Sequence, residues 1–432
     1  MGILFLSITQ LYATDLPIAS IQDDSVLRIA ISDTWLTENP AVVLRNSPFI
    51  RNLPGGSRIQ VRTEARNEEF SVILARERNN SFPGWAQGSW IYTRNRASGE
   101  PLRIRIFLRS DPQIFVQFRP FGVDRSQIDL VLYEAYIIRG LPIGIPFDRL
   151  LTMPVEEILA LAGNRFPRQY FEPNPNLYRN ITPYGQNRNN NFISRVRSHL
   201  PSLSFADDGA INENGQYVLI ESLQAQRTAP GLNCSGFAKW VVDGMLRPIT
   251  GRRLAINPLK APISARSPAL AETIDVRDSL FGLDWTRNLA LEAARILRSP
   301  AFATIENVEI RTAPFSALID RRGGGAAIRN YAGYLSNAGF NVEGLRPLLY
   351  TLAINEPGYL YLASVNRDRG TNPVQRQHYH VAVLVPFFNE FGIFQTAVFE
   401  SAAETNLAGF INRHPNAMIN LVRIPVEGVF DP

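Results

Sequence analysis

A chain of 432 residues with 45% hydrophobic and 10% aromatic content can bury the cores of two or three domains, which excludes a disordered polymer. Its 44 basic residues exceed its 39 acidic ones by only five, a balance compatible with an anionic wall polymer or membrane surface but not indicative of nucleic-acid binding. A single cysteine excludes an intramolecular disulfide and leaves one free thiol.

Residues 1–16 read as a candidate signal peptide, with an apolar run and Ala13 as a small residue at a cleavage position, although no positive residues precede the run. The implied location is periplasmic or secreted. No later run reaches the roughly 20 apolar residues of a membrane span, so no transmembrane segment is expected. Residues 20–163 read as a β-rich accessory domain. Arg58–Arg62, Leu102–Phe107 and Ile114–Arg119 alternate apolar with polar, and Pro54-Gly55-Gly56, Pro83-Gly84, Ser98-Gly99 and Asp111-Pro112 punctuate them. Arg58, Arg62, Arg103, Arg105 and Arg119 fall on polar faces. With Trp85, Trp90 and Tyr92 they suit either a glycan- or peptide-binding face or, more commonly, the solvated side of a half-buried sheet with an aromatic core. The domain closes on a short helix over Met153–Gly163, with proline near its start, acids in its first turn and glycine after its end.

Residues 164–191 are rich in Asn, Pro, Arg and Tyr without periodicity and read as a linker. The second domain is then 192–432. It contains a short lead-in to the cysteine helix at Gln216–Ile220, an amphipathic helix over Arg287–Arg298 and an insertion of about 247–345. Gly323-Gly324-Gly325 within that insertion lacks the lysine and hydroxyl residue of a phosphate loop and reads as a flexible turn.

The chemistry centres on Cys234. Thr228 to Gly231 form a turn-rich approach, and Phe237, Trp240, Val241 and Met245 follow at helical spacing, so Cys234 opens a helix. Unpaired N–H groups and the positive end of the helix dipole favour a thiolate there and can hold an oxyanion. A lone cysteine is more often a small buried hydrophobe, and the neighbouring residues decide between the readings.

Asn233-Cys234-Ser235-Gly236-Phe237 resembles the Asp-Cys-Ser-Gly-Phe signature of NlpC-type cell-wall peptidases, with Asn233 in place of the aspartate. Glu356-Pro357-Gly358-Tyr359-Leu360 resembles that family's Pro-Gly-Asp turn, with Tyr359 for the aspartate. His380 followed by five apolar residues resembles its histidine strand, and Phe399-Glu400-Ser401 its third polar position. The resemblance covers the second half only. It implies an α+β chain whose β-rich domain precedes a papain-like cysteine hydrolase core, with peptidoglycan or a muropeptide as substrate. The implied reaction cleaves an amide bond through a thioester, with no cofactor and no metal. Cys234 is the nucleophile, His380 the base and Glu400 the carboxylate that accepts the Nδ1–H of His380. Ser235 and Asn233 lie near the oxyanion site, and His378 and Tyr359 are candidate substrate contacts. Two alternatives remain open: a wall-binding protein of the same fold without turnover, and an acyltransferase using the same thioester. A further rival is zinc held by His378, His380, Cys234 and a carboxylate, because two histidines two apart on a strand share a face.

Overall fold

The computed structural model describes residues 15–54, 56–177, 188–263, 278, 280–320, 327–370, 375–426 and 429–432. The candidate signal peptide up to residue 14 and Gly323-Gly324-Gly325 lie outside them. Helices and antiparallel sheets segregate in an α+β arrangement. The chain forms two compact units, one of residues up to Pro173 with Ala317–Arg329, the other of Asn174–Ser316 with Asn330–Pro432.

The first unit is a meander in which β1 (Phe49–Asn52), β2 (Arg58–Arg66), β3 (Glu69–Arg76), β4 (Trp90–Asn95), β5 (Pro101–Ile106), β6 (Ile114–Pro120), β7 (Ser126–Leu132) and β8 (Ala135–Ile143) each pair antiparallel with the next. The chain then supplies β9 (Gly209–Ile211) and β10 (Tyr217–Leu219) to the second unit, and returns with β11 (Ala317–Asp320) and β12 (Ala327–Asn330) to extend this sheet beyond β8. The insertion expected wholly within the second domain is therefore divided. Alternation holds: Ile59 and Val61 are fully buried while Arg58, Gln60 and Arg62, on the opposite face, are partly exposed. The polar-face arginines are partnered, Arg58 with Glu77, Arg62 with Glu64 at 2.9 Å, Arg103 with Glu69, Arg105 with Gln117 at 2.9 Å and Arg119 with Asp129 at 2.7 Å. Arginine's planar multi-donor head suits such lateral pairing. Trp90 and Tyr92 are core, Trp85 partly exposed. The expected short helix spans Val155–Ala160 with Glu156 and Glu157 in its first turn.

In the second unit α1 (Arg188–His199) begins inside the stretch read as a linker. Asn189 Nδ2 donates to the carbonyls of Tyr359 and Pro386 at 3.2 and 2.9 Å, so part of the asparagine run fastens a helix to the sheet. The boundary falls at 173/174, and 192 lies within α1. The sheet combines β13 (Phe340–Asn341), β14 (Tyr359–Arg369), β15 (Gln375–Phe388), β16 (Phe394–Glu400), β17 (Ala403–Asn406) and β18 (Met418–Pro425) in the order β13-β18-β14-β15-β16-β17, all antiparallel. Two long helices, α2 (Cys234–Thr250) and α3 (Phe281–Leu297), cover one face. Val241, Met245, Leu289 and Ala293 meet Leu362, Val381, Val383 and Phe399 in a continuous core. Behind the other face α4 (Leu345–Asn355) sets Tyr350 edge-on to Phe388 and Phe394. After β17, α5 (Leu407–Arg413) leads back to β18.

Candidate active site

Cys234 is the first residue of α2. Asn233 caps the helix, its Oδ1 accepting the Gly236 N–H at 2.7 Å, a role asparagine and aspartate fill equally well. The Asn233 N–H donates to Gly209 O at 2.9 Å, tying the helix start to β9. Gly236 is required by that approach, since a Cβ there would lie 1.9 Å from Gly209 O. Phe237 stacks on Trp240 at 5.5 Å and belongs to the core. The five-residue motif thus divides into a cap, the half-buried cysteine and packing constraints. Beneath it Lys239, fully buried, donates to Ile211 O and to Asp243, whose other oxygen accepts the Leu254 N–H at 2.8 Å. Burial lowers the Lys239 pKa and raises that of Asp243, each partly countered by the other's charge.

The thiol is half-buried. Burial alone would raise its pKa, but a hydrogen bond with His380, the charge of that imidazole, the Val381 N–H and the Ser235 hydroxyl together outweigh burial and lower it. His380 lies on β15, and its Nε2 hydrogen-bonds Glu400 Oε2 at 2.7 Å. The sequence reading gave Glu400 the Nδ1–H; the structure gives it Nε2, which leaves Nδ1 for the thiol. The register explains the meeting, because Val383 pairs with Phe399 and Glu400 is the next residue along β16, beside the His380 end of β15. The other Glu400 oxygen accepts from Thr405 Oγ1 at 2.9 Å and from the Arg413 guanidinium at the end of α5. The order along the site is therefore thiol, imidazole, carboxylate, guanidinium.

His378 does not share the role of His380. A bulge in the β14–β15 ladder sets His380 opposite Val365 and His378 opposite the adjacent Asn366, so the two-residue alternation is broken. The buried His378 ring meets Ser364 Oγ at 2.7 Å through Nδ1 and Asn337 O at 3.0 Å through Nε2. Burial pushes its pKa down to about 4, the Asn337 carbonyl opposing and Arg287 and Arg376 reinforcing the shift. With both nitrogens engaged it is neither base nor part of the rival zinc set, though it does line the cleft. Tyr359 is at the far end of β14, its hydroxyl 3.1 Å from Arg298 Nη2, and does not line the cleft. Ser235 and Asn233 do line it.

The cleft encloses about 590 Å³. Asp208 and Lys260 face it with Phe281 and Tyr379, giving a mixed polar and aromatic lining beside Cys234 and His380. The Cys234 and Ser235 N–H groups belong to the first turn, where no intrahelical carbonyl reaches them.

One neighbour was not assigned a role from sequence. His414 stacks on the His380 ring, centroids 5.5 Å apart and planes 25° apart, and its Nδ1 is 2.9 Å from the Tyr379 hydroxyl. Burial and then the charges of His380, Arg413 and Arg367 push its pKa to about 4. Being one of four histidines was its only sequence signal. His380, Glu400 and His414 form, among the described residues, a group whose ligand atoms lie within 4.8 Å of one another.

Residues 17–170 match a family model described as "Domain of unknown function (DUF8515)", which falls within the first unit. Neither a curated protein nor a solved structure matches the chain. No helix among the described residues is long and apolar enough to cross a membrane.

Proposed function

We propose that the second unit is a papain-like cysteine hydrolase that cleaves an amide bond by acyl transfer, and that its substrates are peptidoglycan stem peptides met in the periplasm or outside the cell. The observation that carries the reading is His380, joined to the Cys234 thiol on one side and to Glu400 on the other. In the proposed reaction His380 holds the thiol proton on Nδ1, and the thiolate sulfur attacks the carbonyl carbon. The Cys234 and Ser235 N–H groups hold the oxyanion. His380 then gives its proton to the leaving amine and takes one from the water that hydrolyses the thioester. Glu400 stabilises the imidazolium throughout. Substrate class and location rest on the resemblance of the motif around Cys234 to NlpC-type peptidases.

The two departures from that family's pattern do not weigh against turnover. Asn233 performs the capping an aspartate would, and Tyr359 stands away from the cleft. Incubating the full chain with purified muropeptides and reading products by mass spectrometry tests the proposal. A new free amine with a gain of one water, absent in Cys234→Ala, supports hydrolysis. Joining of the acyl group to an added amine would favour the acyltransferase. Binding without any product, or a product that persists in Cys234→Ala, would overturn the nucleophile assignment.

A further inference from the structure

The second histidine beside Glu400 has no part in the proposed acyl transfer, yet its surroundings are those of a ligand. His414 Nδ1 is taken by the Tyr379 hydroxyl, while its Nε2 is shielded from solvent and has no hydrogen-bond partner among the described residues. That is how a metal-binding imidazole is usually held, one nitrogen fixed by an outer partner and the other presenting its lone pair. Glu400 is held in the same way. Thr405 and Arg413 occupy Oε1, so Oε2 is left facing His380. Two imidazole nitrogens, borderline donors, together with one carboxylate suit zinc better than calcium or magnesium, which take oxygen ligands.

We propose that His380, Glu400 and His414 bind a zinc ion and that its occupancy switches off the thiol chemistry, an inference that rests on the acyl-transfer reading for its consequence though not for the binding itself. The ligand atoms lie within 4.8 Å of one another. Donors at about 2.0–2.1 Å from a tetrahedral ion stand roughly 3.3 Å apart, so closure draws these atoms together by roughly 1.5 Å at most. The ion sits on the Nε2 side of His380, across the ring from the thiol, which separates this site from simple capture of zinc by the cysteine. Binding replaces the Nε2 proton of the imidazolium, which leaves to solvent. The metal-bound ring keeps its Nδ1–H but is too weak an acid to protonate a leaving amine, and Glu400 is withdrawn from its partner. No electron transfer is involved.

The full chain carrying Cys234→Ala tests this without interference from the thiol. Calorimetric titration with zinc chloride should show one ion bound per chain, reversed by EDTA. Adding His414→Gln should weaken binding at least tenfold, whereas His199→Gln, at the end of α1 with its ring against Trp240 and Phe430, should not change it. Independently, zinc should protect His380 and His414 of the Cys234→Ala chain from diethylpyrocarbonate, read by peptide mass spectrometry, which decides the matter even if the His414 variant fails to fold. Absent stoichiometric binding, equal affinity in the His414 variant, or unprotected histidines would each overturn the site. A chain that binds zinc in this way but shows no amide hydrolysis would instead overturn the enzymatic reading and leave the metal site standing.

Discussion

Glu400→Gln gives the sharpest test of the candidate triad because it changes charge and donor pattern while keeping shape. The wild-type carboxylate is buried and accepts on both oxygens, from His380 Nε2 at 2.7 Å on one and from Thr405 and Arg413 on the other. A glutamine has a single acceptor oxygen. Turning its NH2 toward Arg413 would set donor against guanidinium, so the oxygen stays with Thr405 and Arg413 and the NH2 faces His380. Nε2 must then accept, the ring proton moves to Nδ1, and the nitrogen that should receive the thiol proton already carries one. A hydrogen bond to a charged group contributes about 1.5–3 kcal/mol, and 1.4 kcal/mol is a factor of ten, so the thiolate fraction near neutral pH should fall about 10- to 150-fold. Iodoacetamide alkylation of Cys234 followed across pH reads this without any substrate. The wild-type rate should rise at a pH below that of ordinary cysteine, since the net effect of His380, Val381 and Ser235 is to lower the thiol pKa. In the variant the rise should move to higher pH. Muropeptide turnover should fall as well, though less completely than in Cys234→Ala. Superimposable alkylation profiles for wild type and Glu400→Gln would refute the coupling of Glu400 to the thiol through His380.

Gly236→Ala should destabilise the chain by about 1–3 kcal/mol and slow Cys234 alkylation, because its methyl would meet Gly209 O at 1.9 Å and must displace β9 from the helix start; an unchanged thermal midpoint would refute the close approach. Lys239→Met leaves Asp243 buried without its cation and should cost about 3–5 kcal/mol in urea unfolding, while the double variant Lys239→Met/Asp243→Leu should recover much of that loss; no recovery would show that the pair is not the cause. His378 has a folded pKa of about 4 against 6.5 for the free group, so the unfolded chain binds the extra proton and stability falls as pH drops from about 6.5 toward 4. At 1.36 kcal/mol per pH unit this approaches about 3 kcal/mol at the acid end, and urea midpoints across pH should show a shallower acid loss in His378→Asn than in wild type.

Sequence alone determined what local rules reach. Strand alternation placed β2, β5 and β6, because the side-chain period of two is written directly into residues such as Ile59 and Val61. Helical spacing after a turn-rich approach placed Cys234 at a helix start, and the order of apolar runs put His380 and Glu400 on successive strands. Tertiary structure decided the rest through contacts between residues distant in the chain. The bulge opposite Val365 and Asn366 separated His378 from His380, although two-residue spacing predicts one face, and an interruption of a ladder exists only once two strands are paired. The return of residues 317–329 to the first sheet, and the fastening of Asn189 to carbonyls about 170 and 197 residues away, leave no periodic trace in sequence. Arg413 and His414 reach Glu400 and His380 only because α5 ends beside the end of β16, where Glu400 is the last residue. A lone arginine and histidine gain their meaning from that placement, since ion pairing and ring stacking depend on separation in space and not along the chain.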